Sequence, residues 1–187
     1  MQELSDSEII ADYLNGNKES LNILVGRYIN LIYSFTYRYV GNEEEAEDIT
    51  QDVFVKAWNN IKKFDQEKSF KTWIFSIAKN TALDWLKKKK AIPFSNFENE
   101  EGENTLAETL ADPASLPPEL FEKAEIEKEL NSALEKLPPK HRMVLFLRYN
   151  NDFNFREISE SLGEPLDTIK SQHRRALIKL KKFLTEK

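Results

Sequence analysis

The sequence predicts an all-α protein: two small helical domains joined by an acidic linker, the second containing a helix-turn-helix. Three observations lead there. Glycine is scarce, at 5 of 187 residues, while Leu, Ile, Lys and Glu, which propagate helices well, are abundant. Apolar residues recur at spacings of three and four over most of the chain. A stretch rich in Pro and Glu, "FENEEGENTLAETLADPASLPPEL", interrupts that pattern once and reads as a tether. The expected boundaries are 1–93, 94–121 and 122–187.

The first block begins with a short helix over 5–15, with Ile9, Ile10, Tyr13 and Leu14 as its apolar contacts. A long helix over 19–40 carries Leu21, Leu24, Val25, Tyr28, Leu31, Ile32, Phe35 and Tyr39. Asn42 followed by Glu45 has the form of a capping box, and the acidic first turn suits the helix dipole. The helix they open runs to about Ile61. Its stripe is Ala46, Ile49, Val53 and Ala57; Phe54, Val55 and Trp58 lie elsewhere on the wheel. These three either fold inward or, beside Glu47, Asp48, Gln51 and Asp52, form a protein-docking surface. A polar loop "KKFDQEKS" precedes a helix over 69–90, expected to bury Phe70, Trp73, Ile74 and Ile77. That helix also carries Lys71, Lys79 and Asn80 and ends in four lysines. The run is either a solvated helix end or a track for nucleic-acid backbone, with bases stacking on nearby rings.

The second block starts with a helix over 119–136, broken at "LPPKHR", since proline is favoured in the first turn of a new helix. Helix 139–149 follows, then "NDFNF", a helix over 155–162, the turn Gly163-Glu164-Pro165, and a final helix over 166–185. Two helices joined by a Gly-containing turn, the second one basic, make the helix-turn-helix pattern. On the last helix Ile169, His173, Ala176, Leu180, Phe183 and Leu184 share one side. Lys170, Ser171, Arg174, Arg175, Lys181 and Lys182 share the other. The cationic side either solvates a surface helix or enters a major groove, with Lys170, Ser171, Arg174 and Arg175 at base edges and Lys179, Lys181 and Lys182 at phosphates. His173, on the apolar side, reads as a packed imidazole.

Charge divides the chain in three. Residues 1–95 carry a net −1, residues 96–129 a net −9 and residues 130–187 a net +5, within a total of −5. Zero cysteines fit a reducing compartment and leave no disulfide or thiolate site. The polar start "MQELSDSEII" is unlike a signal peptide, so a cytoplasmic protein is expected. The two histidines, His141 and His173, lack metal-type spacing. No cofactor is called for. An enzyme is disfavoured because no Ser/His/Asp set, phosphate loop or metal cluster is visible. A stand-alone helix-turn-helix regulator would explain 122–187 but leave helix 43–61 and the stretch 62–90 without a purpose.

Four stretches in series, "AEDITQDVFVKAW", "SFKTWIFSIAKNTALDWLKKKK", "LEKLPPKHRMVLFLRY" and "FREISESLGEPLDTIKSQHRRAL", resemble a bacterial sigma factor of the sigma-70 family. The likeness is to its extracytoplasmic-function group and covers about 5–92 and 122–184. It implies a factor that binds core RNA polymerase and directs promoter recognition, melting and transcription initiation, with no catalysis and no small-molecule substrate of its own. By that resemblance Asp48, Gln51, Asp52, Phe54 and Trp58 face the β′ clamp helices. Lys62, Lys63, Phe64, Ser69, Trp73, Lys79 and Asn80 meet the −10 element, the loop 62–69 receiving a flipped base. Thr168, Lys170, Ser171, Arg174 and Arg175 meet the −35 element, and the β flap and an anti-sigma factor are further implied partners. The acidic linker is expected to thread towards the RNA-exit path. Where housekeeping relatives carry a tandem tryptophan this chain has Ser76 and Ile77, which implies a narrower promoter set. Gln172 replaces a residue that is often basic, which implies one phosphate contact fewer.

Overall fold

The computed structural model describes residues 4–91 and 118–185. Every described element is helical, in the order α1 (Asp6–Leu14), α2 (Ser20–Val40), α3 (Glu43–Asn60), a 3-10 turn (Ile61–Lys63), α4 (Phe70–Ala91), α5 (Pro118–Glu135), α6 (Pro139–Tyr149), α7 (Phe155–Leu162) and α8 (Leu166–Thr185). The chain divides into two compact units, α1–α4 in the first and most of α5–α8 in the second. The expected linker lies outside the described residues up to 117; its last four residues are the first turn of α5.

Local capping fixes where the helices begin. Ser5 accepts the amide of Glu8 while the Glu8 carboxylate accepts the amide of Ser5 at 2.8 Å, a complete capping box. The same reciprocal pair recurs at α7, where Asn154 accepts from Glu157 and Glu157 accepts from Asn154. At α3 only half of the expected box forms. Asn42 accepts the Glu45 amide at 2.9 Å, but the Glu45 carboxylate turns to Lys89 at 2.5 Å. An ion pair to the end of α4 has displaced the return bond. Gly41 closes α2 in the left-handed region at φ 70°, donating to the Tyr37 carbonyl, a conformation that costs a side-chain-bearing residue energy.

The first unit packs α2, α3 and α4 against one another, with α1 laid on α2. Ile9, Ile10, Leu24, Ile32, Phe35, Ile49, Val53, Ile74 and Phe75 are fully buried. Phe35 meets Phe75 edge-on at 5.0 Å, and Tyr28 meets Phe70 edge-on at 5.4 Å, the geometry that ring quadrupoles favour. α3 and α4 also bring small residues inward: Ala46, Ala57, Ala78 and Ala82 have no exposure. The Thr36 and Thr50 hydroxyls pair within this core, and both reach the Ala46 carbonyl. α1 is tied to α2 by Asp6, which accepts from Arg27 and from the Tyr28 hydroxyl. Burial, then that carboxylate, pushes the Tyr28 phenol up, so it stays a donor.

The second unit is built on α6, α8 and α5. α6 buries five consecutive residues, Met143 to Leu147, so this helix is apolar over most of its circumference. Leu137, Leu145 and Ala176 form a buried cluster, closed by Leu134, Leu180 and Phe183. The "NDFNF" connection inserts Phe153, fully buried, whose carbonyl accepts from Arg148 at 2.8 Å. Gly163 holds the α7–α8 turn at φ 60°.

Truncating Phe35 to Ala removes the ring on which α2 and α4 meet. It is expected to destabilise the first unit by about 3–5 kcal/mol, read as a lower midpoint in urea unfolding.

Candidate nucleic-acid interface

α4 departs from the sequence reading in which side it buries. Phe70 and Ile74 are buried as expected, but the rest of its inner side is Phe75, Ala78 and Ala82. Trp73 and Ile77 are only half-buried. They belong to a second stripe, Trp73, Ile77, Asn80, Thr81 and Asp84, spaced by three and four on one helical face. Facing it, the end of α3 supplies Lys56 and Asn60, and the 3-10 turn supplies Lys63. Together these eight residues line a cleft of about 440 Å³.

The cleft is held open in a defined shape. Lys56 Nζ donates to Thr81 Oγ1 at 3.1 Å, a bridge from α3 to α4. The Asn60 amide donates to the Lys56 carbonyl at 2.8 Å. Trp73 leans on Phe64 at 4.9 Å and on Phe70 at 5.6 Å, and Phe64 meets Phe70 at 90°. A large aromatic ring is thus fixed at the edge of a cleft carrying two lysines, two asparagine amides and one carboxylate. The carboxylate, Asp84, pairs with Lys87 at 3.3 Å. Such a cleft suits a flat, hydrogen-bonding group attached to an anionic chain, as an unstacked nucleotide is.

The expected −10 residues separate into groups. Lys63, Trp73 and Asn80 line the cleft. Lys62 is exposed beside it. Phe64, expected to meet DNA, is 8% exposed and acts as the floor under Trp73. Ser69 is exposed, but its hydroxyl accepts the Thr72 amide at 3.3 Å and so caps α4. Lys79 is half-buried and does not line the cleft. Lys56, Asn60, Thr81 and Asp84 are not among the contact residues expected from the sequence, and Ile77 is expected in the core and at a tandem-tryptophan position. The signal was present as the three-and-four spacing of the α4 stripe, masked because Trp73 and Ile77 read as core. Ser76, at one of the tandem-tryptophan positions, donates its hydroxyl to the Trp73 carbonyl at 2.7 Å.

On the outer side of α3, Asp48, Gln51 and Asp52 are exposed around Val55, itself 56% exposed. The aromatic pair divides: Phe54 is 7% exposed, with Trp58 half-buried against it at 5.8 Å. Phe54 is therefore a packing residue of this surface, and the exposed apolar centre is Val55, one of the three residues the helical wheel offers for docking but not one that the resemblance implies.

In the second unit α8 shows Thr168, Lys170, Arg174 and Arg175 to solvent, with Ser171 half-buried. Thr168, Ser171 and Arg175 also line a cleft of about 610 Å³ with Asp167, Gln172 and the start of α6, Pro138 to His141. Gln172 donates to the Glu164 carboxylate at 2.5 Å, and Lys140 pairs with the same carboxylate at 3.5 Å. This bond occupies Gln172 at the position expected to lack a phosphate contact. His173 is packed as expected, edge-on to Phe155 at 5.0 Å and 3.1 Å from the Tyr149 hydroxyl. Burial, then the Arg148 guanidinium, holds its imidazole below the ordinary 6.5. Among the described residues no group of His, Asp and Glu could hold a metal, and no helix is long and apolar enough to cross a membrane.

The family model Sigma-70 region 2 matches residues 24–92, and that of Sigma-70, region 4 matches residues 133–182. The ECF RNA polymerase sigma factor SigW of Bacillus subtilis is 32% identical over 186 residues, 98% of this chain and 99% of the relative. The ECF RNA polymerase sigma-E factor of Escherichia coli K12 is 28% identical over 176 residues, 94% of this chain and 92% of the relative. Among solved structures, the sigma factor RpoE of Bartonella quintana, in complex with the anti-sigma factor NepR, shares the fold. Its TM-score is 0.67 at 21% identity, over 90% of this chain and 99% of that one.

A histidine held neutral by burial takes up protons more readily when unfolded. His173 thus contributes stability that is present above about pH 6.5 and is lost as pH falls below it. The measurement is an NMR titration of the ring protons: a midpoint below 6.5 is expected in the folded chain, rising to the ordinary value in urea.

Proposed function

This chain belongs to the sigma-70 family of RNA polymerase sigma factors, in the extracytoplasmic-function group, and on that premise we propose which of its surfaces perform each step. As a family member it is a regulatory initiation factor that acts through core RNA polymerase at promoter DNA. In this reading residues 1–93 form the domain for core binding and the −10 element, 94–121 the acidic tether, and 122–187 the domain for the −35 element. The chain works in the cytoplasm and contributes no catalytic group.

The single observation that carries the assignment is the cleft between α3 and α4. Its Trp73 ring, Lys56 and Lys63 cations and Asn60 and Asn80 amides supply stacking, charge and base-edge hydrogen bonds to one unstacked nucleotide. Contacts to that strand offset unstacking, which costs a few kcal/mol per step. Lys62 meets the adjoining backbone, while Phe64 and Ser69 act by supporting Trp73 and the start of α4. Lys79 meets the strand outside the cleft.

Core polymerase is bound by the outer side of α3. Val55 is the apolar centre, Asp48, Gln51 and Asp52 are the polar rim, and Phe54 backs Trp58 from beneath. Partner elements are the β′ clamp helices for α3 and the β flap for the second domain. An anti-sigma factor, as the Bartonella quintana neighbour carries, is a further proposed partner. In the −35 domain α8 enters the major groove, with Lys170, Ser171, Arg174 and Arg175 towards bases and Thr168 towards backbone. The net charge of −5 weakens DNA binding by the free chain; polymerase supplies the missing affinity by holding both domains at one promoter.

Val55→Glu is expected to reduce co-purification with core polymerase by about tenfold, about 1.4 kcal/mol. Asn80→Ala is expected to leave co-purification intact and to lower run-off transcription. Equal loss of both activities in the two variants would refute the division of labour.

A further inference from the structure

We infer that the cleft between the start of α6 and the outer face of α8 seats a backbone phosphate of the promoter duplex, and that His141 takes up a proton as the phosphate arrives. The inference rests on the −35 reading above and adds a residue and a condition to it. The consequence is a grip on DNA that tightens as pH falls.

The cleft measures about 610 Å³, ample for one phosphodiester. Pro138 and Pro139 form a stiff wall that offers no amide hydrogen. Thr168 supplies a hydroxyl donor, and the Arg175 guanidinium, whose several N–H groups can also reach a base edge, supplies a cation; Ser171 lines the same cleft, and Lys140 and Gln172 border it through the Glu164 carboxylate. His141 lies among them, half-buried, and its Nδ1 is buried with no hydrogen-bond partner among the described residues. A ring nitrogen without a partner, on a residue that lines a cationic cleft, is able to carry a proton when a counter-charge makes that favourable.

The charged groups around the ring explain why the proton waits. Burial comes first, then Lys179 and Arg175 of α8, and together they hold the imidazole below its ordinary value. Lys140 adjoins it on α6, and Asp167 lines the same cleft from α8. The Glu164 carboxylate of the α7–α8 turn is engaged by Lys140 and Gln172. At the α5–α6 connection, Arg142 donates to the Glu135 and Leu137 carbonyls. A phosphate entering the cleft offsets the charge of Arg175, the one of the two opposing cations, Lys179 and Arg175, that lines it. The ring's affinity for a proton is then higher in the complex than in the free protein. By linkage, binding strengthens as pH falls through the interval between the two values and is pH-independent above both. His173 does not line this cleft; it faces Tyr149, Phe155 and Arg148.

The test is binding of the polymerase-bound chain to a duplex from a promoter at which that polymerase initiates, measured at about pH 8 and about pH 6. Wild type is expected to gain roughly three- to tenfold more affinity over this range than His141→Gln, up to the limit for one proton. His141→Lys, which fixes the cation, is expected to bind at the higher pH as wild type binds at the lower. His173→Phe is expected to keep the wild-type response. An unchanged pH response in His141→Gln, or its loss in His173→Phe alone, would overturn the inference. The double variant Lys170→Ala, Arg174→Ala probes the −35 reading itself. If it binds as wild type, that reading fails; if it weakens binding while His141→Gln keeps the full pH response, only the present inference fails.

Discussion

Close packing of α3 on α4 is the constraint from which the first domain's function follows. Each helix must bury one side in the core and still present an organised outer edge. Ala46, Ala57, Ala78 and Ala82 are fully buried, and small residues let two helix backbones approach. The approach is close enough that Lys56 of one reaches Thr81 of the other at 3.1 Å. The aromatic support is equally dependent on the core: Trp73 is oriented by Phe64 and Phe70, and Phe70 rests on Tyr28 of α2. Rigid positioning of this kind reduces the ordering cost of binding a flexible strand.

The second domain solves a related problem differently. Its last helix, α8, is held from behind by Ile169 and Ala176, both fully buried, and by the Leu137–Leu145 cluster. Its outer face keeps Lys170, Arg174 and Arg175 in solvent. A carboxylate at the turn, Glu164, ties Gln172 of α8 to Lys140 of α6. This restrains α8 relative to α6. The acidic segment of net −9 between the domains means that the cationic surfaces are carried by a chain that is anionic as a whole.

Most of the architecture was legible because the local signals agreed. Helix limits follow from Asn42, the Pro138-Pro139 pair and the Gly163-Glu164-Pro165 turn, and the apolar stripes expected of α2, α3 and α8 face inward. What was hidden depends on tertiary choice. Periodicity could not say which of two adjacent stripes on α4 turns inward, so Trp73 and Ile77 were taken for core and Phe75, Ala78 and Ala82 were overlooked. Phe54 and Phe64, which the resemblance gives as contact residues, are buried and each packs on a neighbouring tryptophan. Glu45 lay within reach of two partners, the Asn42 amide and Lys89. Only the course of α4 decides between them. His141 was legible as a residue but not as a site, because its neighbours Arg175 and Lys179 lie more than thirty positions away in sequence.

The most direct test of the central claim, that the α3–α4 cleft holds one strand of opened promoter DNA, is a photocrosslink. A photoreactive side chain at position 60, inside the cleft but outside the residues chosen from sequence, would be irradiated in the polymerase-bound protein on promoter DNA. Crosslinks confined to one strand at the −10 element, and absent before strand opening, are expected. Crosslinks of equal strength to both strands of closed duplex, or none within the −10 element, would contradict the assignment.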